Sequence, residues 1–134
     1  MNIIENQENF IILEEKALQM YPEVTKLTIT NTGLKHIDEN AFRNTKLKEI
    51  DLKNNRIKIL PWKVFHGNKI VEINIEGNPL TCDCNSKWIQ HKMKNFEAFL
   101  GPFGDEITCF DYKNNRTERL YNVTIDGCGR ENNA

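Results

Sequence analysis

The stretch "LKEIDLKNNRI" (47–57) decides the fold. Leu47, Ile50 and Leu52 are apolar at spacings of three and two, Asn55 follows, and Ile57 closes the run. The alternation Ile50-Asp51-Leu52 is that of a short strand with one buried face. A step of 23 residues back reaches "VTKLTITNTGL" (24–34), and the same step forward reaches "IVEINIEGNPL" (70–80). The apolar positions recur in register: Leu27, Ile50 and Ile73; Ile29, Leu52 and Ile75; Leu34, Ile57 and Leu80. Further along, Ile37 aligns with Leu60 and Phe42 with Phe65. Apolar alternation arising by chance does not hold one register over three such units.

These units fit L-x-x-L-x-L-x-x-N-x-L, the pattern of a leucine-rich repeat. One unit cannot bury its apolar face alone, whereas stacked units can. Successive strands then pair in parallel through right-handed crossovers. The expected fold class is α/β: a right-handed leucine-rich-repeat solenoid with a short curved parallel sheet, followed by a disulfide-bonded C-terminal cap containing a helix. Residues 1–79 are assigned to about four repeats, the first irregular. There "NIIENQENFIIL" (2–13) reads as another strand and turn, with Ile4 twenty-five residues before Ile29. Asn55 and Asn78 stand where the chain leaves the strand, and an inward amide there satisfies backbone groups otherwise orphaned. Thr32 takes that position one unit earlier, so its hydrogen bonding is expected to be weaker or water-assisted. No cysteine cluster precedes the first repeat, which leaves that end of the stack uncovered. The expectation is that the natural chain extends upstream, with Met1 an added start codon, or that a partner covers this end.

Composition narrows the function classes. A formal charge of −1 over 134 residues gives no bulk attraction to nucleic acid or anionic membrane. The longest apolar run, "FIIL" (10–13), is far below the roughly 20 residues that span a bilayer. The N-terminus has neither the basic start nor the apolar stretch of a signal peptide. The four cysteines, Cys82, Cys84, Cys109 and Cys128, all lie in the C-terminal half and suggest two local bridges. Their spacing leaves three pairings open. A four-cysteine zinc site is the rival, but zinc ligands are usually paired C-x2-C or wider, and here the first pair is C-x-C. Between the second and third cysteines, "NSKWIQHKMKNFEAFL" (85–100) places Trp88, Ile89, Met93, Phe96 and Leu100 at helical spacing, with Asn85 or Ser86 as N-cap. Trp88 is expected to lead the apolar face of that helix over the open end of the last repeat. Residues 80–128 are assigned to the cap and 129–134 to a polar tail. Asn115-Arg116-Thr117 and Asn122-Val123-Thr124 are glycosylation acceptors in polar sequence, in keeping with secretion.

Two resemblances sharpen this. The run N-P-x-x-C-x-C-x-x-x-W with two later cysteines (Asn78 to Trp88, then Cys109 and Cys128) resembles the cysteine-rich C-terminal flank of extracellular leucine-rich-repeat proteins. That resemblance implies the pairing Cys82–Cys109 and Cys84–Cys128. More closely, "KLTITNTGLKHIDENAF", "LPWKVFHGNKIVEINIEGNPLTCDCNSKWIQ" and "LYNVTIDGCG", with the opening "IENQENF", resemble the ectodomain of the Trk neurotrophin receptor tyrosine kinases. The resemblance runs from about residue 3 to Gly129. It implies a cell-surface receptor with leucine-rich repeats between two cysteine clusters, then immunoglobulin-like domains, one membrane span and a kinase. The chain lacks the first cluster and everything beyond the cap, so it reads as an ectodomain fragment, or as a truncated or soluble relative. In that family the growth factor is gripped mainly by an immunoglobulin-like domain, absent here.

The repeat register also identifies the sheet face. Its side chains include Lys26, Thr28, Glu49, Asp51, Lys53, Glu72, Asn74 and Glu76, flanked by Thr25, Thr30, Asn31, Lys48, Asn54, Val71 and Gly77. Three lysines stand against four carboxylates, with no aromatic or arginine anchor of the kind that dominates tight interfaces. A solvated face and a polar contact surface are both open readings, and the missing basic stripe speaks against nucleic acid. His36, His66 and His91 show no ligand spacing. Trp62 is either an exposed anchor or packed on the convex loops. Phe99 and Phe103, around Gly101-Pro102, are read as buried beneath the loop, and "KNNRTER" (113–119) as a mixed-charge turn. No P-loop, G-x-S-x-G, H-E-x-x-H or paired-acid arrangement stands out, so neither an enzyme nor a cofactor is expected. The function expected is an extracellular interaction and scaffold module of a Trk-like receptor, serving a neurotrophin-like growth factor or co-receptor. The alternative is a secreted or adhesive leucine-rich-repeat protein that binds a protein partner directly.

Overall fold

The computed structural model describes residues 2–15, 17–65, 67–95, 100 and 104–128. His66, Phe96, Phe99, Gly101, Pro102, Phe103 and the tail 129–134 lie outside these, and with them the readings made of those residues. Four short strands, β1 (Asn2–Glu5), β3 (Lys26–Thr30), β5 (Glu49–Asp51) and β6 (Glu72–Asn74), form one sheet in the order β1-β3-β5-β6. All pair in parallel. Leu27 pairs with Ile50 and Ile50 with Ile73, so the sequence period is the sheet register. The irregular first unit joins with Ile4 opposite Ile29. A two-residue ladder, β2 (Ile12–Leu13) with β4 (His36–Ile37), ties the first unit to the second.

The strands form because alternate residues have somewhere apolar to go. Leu27, Ile29, Ile50, Leu52, Ile73 and Ile75 are all buried to about 1% or less exposure. Phe42 and Phe65, one unit apart, stack within the core with ring centroids 5.8 Å apart. Each strand is left by a residue in the left-handed region: Asn6, Asn31, Asn54 and Gly77. Asparagine tolerates that conformation and glycine adopts it freely. At Gly77, with φ +77°, an added Cβ would also crowd the Asn54 side chain and lie 3.2 Å from Asn54 Cα.

Buried amides close each turn. Asn78 Nδ2 donates to the Leu52 and Ile75 carbonyls at 2.8 and 2.9 Å, and its Oδ1 accepts from Ile57 N. Asn55 Nδ2 donates to Ile29 O and Leu52 O, and its Oδ1 accepts from both the amide and the hydroxyl of Thr32. This corrects the expectation for Thr32. Its hydroxyl donates to Asn55 at 2.6 Å and accepts from Leu34 N at 3.1 Å, with no need of water. A threonine has one donor where asparagine has two. That single donor goes forward to the next unit rather than back to the first.

The helix α1 (Lys87–Asn95) follows a 3-10 turn at Cys84–Ser86. The cap of that turn is Asp83, whose carboxylate accepts from Asn85 N at 3.0 Å, rather than Asn85 or Ser86. The carboxylate outcompetes them because it precedes the first turn, where unsatisfied amides point back at it. An antiparallel hairpin, β7 (Thr108–Asp111) with β8 (Arg116–Arg119), completes the cap. Thus the 113–119 segment is only half turn: from Arg116 it is strand. Phe110 N donates to Leu80 O, and Cys82 N to Phe110 O, so β7 docks on the chain just after the last repeat.

Candidate interaction surfaces

Two regions carry the residues singled out from the sequence: the sheet face and the cap. On the sheet, register places Lys26, Glu49 and Glu72 in one row and Thr28, Asp51 and Asn74 in the next. All six are half-buried. Glu49 and Glu72 are direct cross-strand partners, a like-charge pair that costs a few tenths of a kcal/mol to about 1 kcal/mol. Lys26 opposes Glu49 from the other side. Asp51 takes Lys53 twice, through the Lys53 amide at 3.1 Å and an ion pair at 3.5 Å. Glu76, like Lys53, is half-buried. Thr30, by contrast, is buried, at 7% exposure.

The cap is built around Trp88. Its side chain is 1% exposed, and Nε1 donates to Leu60 O at 2.7 Å. Its ring meets Phe65 edge-on at 5.9 Å and Trp62 at 5.2 Å. Trp62 is therefore a packed residue of the junction, half-buried, with Lys92 Nζ 4.6 Å from its ring centroid. Sulfur bonds join Cys82 to Cys109 and Cys84 to Cys128. With every thiol bonded, no sulfur remains for zinc. Two further residues, which sequence reading passed over, hold the chain between β8 and Cys128. Gln90 is 4% exposed, and its Nε2 donates to Leu120 O and Val123 O at 2.7 and 2.6 Å. Lys87 Nζ donates to Ile125 O at 2.7 Å. A glutamine on the apolar side of an amphipathic helix was the available signal. The asparagines of both N-x-T triplets are exposed: Asn115 ends the hairpin turn in the left-handed region, and Asn122 follows in the next turn.

Asp111 organises the hairpin turn. Asn114 Nδ2 donates to Asp111 Oδ2 at 2.7 Å, and the amides of Lys113 and Asn114 donate to Oδ1. The Asn114 side chain is the largest cause holding the Asp111 carboxyl below the usual carboxylate range. His36 and His91 are both exposed and lie in a repeat and in the cap. Among the described residues no group of His, Cys, Asp and Glu could hold a metal, and no helix is long and apolar enough to cross a membrane.

A family profile described as "Leucine rich repeat" matches residues 22–80. The "NT-3 growth factor receptor" of Gallus gallus is 37% identical over 98 residues, which is 72% of this chain and 12% of the relative. The "High affinity nerve growth factor receptor" of Gallus gallus is 36% identical over 110 residues, covering 81% and 14%. The "NT-3 growth factor receptor" of Homo sapiens is 30% identical over 126 residues, covering 93% and 15%. The chain belongs to the Trk neurotrophin receptor family. It spans about an eighth of the length of these Trk relatives. The 126 matched residues take in the repeats and the cysteine-rich segment together.

Proposed function

We propose that this chain is a protein-interaction and scaffold module from the extracellular part of a Trk-like receptor, non-catalytic by itself and acting in growth-factor signalling. In this reading the repeats, 1–79, form a right-handed solenoid with a curved parallel sheet, 80–128 form its cap, and 129–134 a polar tail. The observation that carries it is the joint: the last repeat is sealed by a helix led by Trp88 and closed by two disulfides. Such bonds persist in oxidising compartments, which supports a position outside the cell or on its surface. The exposed Asn115 and Asn122 are proposed glycan carriers, since both stand on turns that an attached sugar does not disturb.

The partner is a protein, of neurotrophin-like growth-factor or co-receptor type, gripped mainly outside this segment. The sheet face (Lys26, Thr28, Glu49, Asp51, Lys53, Glu72, Asn74, Glu76) is a secondary polar contact surface. It has no aromatic anchor, so it contributes to register and charge matching more than to affinity. The test is binding of the purified, glycosylated chain to an immobilised growth factor of the relatives' kind, beside a Glu49→Lys/Glu72→Lys variant. Weak or undetectable binding by the isolated chain is expected, with the variant folding normally. Tight binding by the chain alone, lost in the variant, would instead make it a self-sufficient binding protein.

A further inference from the structure

The two sulfur bonds of the cap stand in different surroundings. Cys109 is 2% exposed and belongs to the hydrophobic core. Cys84 and Cys128 are both half-buried, and Cys84 lines an open groove beside the β7–β8 hairpin. Opening a disulfide requires access for the attacking thiolate and surroundings that tolerate the thiolate expelled. At the Cys82–Cys109 bond both requirements meet the core. Attack on Cys109 is blocked by its burial. Attack on Cys82, which lines the same groove, expels the Cys109 thiolate among apolar neighbours, where the charged form is disfavoured. Neither obstacle stands at Cys84–Cys128. Asp83 lies between Cys82 and Cys84 in the chain, so its charge bears on both bonds and does not separate them.

The chain between β8 and Cys128 also has anchors that involve no sulfur. Gln90 holds the carbonyls of Leu120 and Val123, and Lys87 holds that of Ile125. The side chains of Leu120 and Ile125 are buried. Beyond Ile125, Asp126 and Gly127 are exposed, and Cys128 is fixed through its sulfur. We infer that Cys84–Cys128 is a redox-sensitive clasp, which a dithiol opens while Cys82–Cys109 and the fold of the cap persist. A thiolate of the dithiol attacks Cys84 Sγ, the bond to Cys128 breaks, and Cys128 leaves as a thiolate that takes a proton from water. The second thiolate of the dithiol then displaces Cys84 from the mixed disulfide. Two electrons and two protons pass to the cysteines, and the dithiol becomes a cyclic disulfide. The last fixed point of the chain moves from Cys128 back to Ile125. This clasp governs how the chain leaves the cap, and it does not depend on the receptor reading or on the sheet face.

The experiment treats the oxidised full chain with limiting dithiothreitol, quenches with N-ethylmaleimide and locates the labels by peptide mass. A species labelled on Cys84 and Cys128 is expected to accumulate, at least tenfold faster than label reaches Cys82 or Cys109. In that species amide exchange should quicken from Asp126 to Cys128 and stay slow at Leu120, whose amide donates to Ile107 O. A Cys84→Ser/Cys128→Ser variant should show the same exchange pattern with Cys82–Cys109 intact. Label on Cys82 and Cys109 first or at an equal rate, four labels arriving together, exchange quickened throughout the cap of the two-label species, or resistance of both bonds to excess dithiothreitol would each overturn the inference.

Discussion

At the residue scale the buried amides carry more than their size suggests. Asn55 satisfies two carbonyls and takes two donors from Thr32. Truncation orphans several of these at once, and each buried unsatisfied group costs roughly 1–3 kcal/mol. Asn55→Ala is therefore expected to lose at least about 3 kcal/mol in urea unfolding, and more than Asn78→Ala, which breaks three bonds. A loss below about 0.5 kcal/mol, the range of featureless surface changes, would show that the ladder is dispensable. Both asparagines were legible from their place in the repeat. Thr32 was misjudged because position predicts which backbone groups need partners, while the direction of a lone hydroxyl donor is settled by distances between units. Gly77 could be seen as a turn residue, but its closeness to Asn54 is a tertiary fact.

At the element scale the strands were readable and the cap was less so. A strand buried on one face announces itself through Leu27, Ile29 and their equivalents. The β7–β8 hairpin does not, because its residues are mostly half-buried or exposed and Lys113 to Arg119 is polar throughout. Nor could spacing alone choose among the three cysteine pairings. The two bonds invite a ranking. Cys84–Cys128 closes the longer loop, a separation of 44 against 27. In the chain-entropy model that difference is worth only about 0.4 kcal/mol. Cys109, however, is 2% exposed, and a serine there buries a hydroxyl at a cost of roughly 1–3 kcal/mol. The Cys82→Ser/Cys109→Ser variant should therefore be the less stable of the two double variants. Thermal unfolding of both decides it, and the opposite order would mean that loop length dominates.

At the scale of the whole molecule the two ends differ. The cap end is closed by Trp88. The other end opens into an apolar groove of about 510 Å³ lined by Ile4, Phe10, Ile12, Leu18, Tyr21 and Leu27. Ile12 is 50% exposed and Met20 82%. Stacked units share stability with their neighbours, so the unit with one neighbour opens most readily. Amide exchange should be fastest in β1 and slower in β3 and β5, which have paired strands on both sides. Equal protection of β1 and β5 would mean that the chain unfolds only as one block.

The aromatic joint has an optical consequence. The molecule's two tryptophans, Trp62 and Trp88, stand 5.2 Å apart where the lid meets the last coil. The indole bands of near-ultraviolet dichroism, and indole emission, thus report on a single seam. Loosening of that seam becomes visible before the rest of the chain has moved, without any added dye or label.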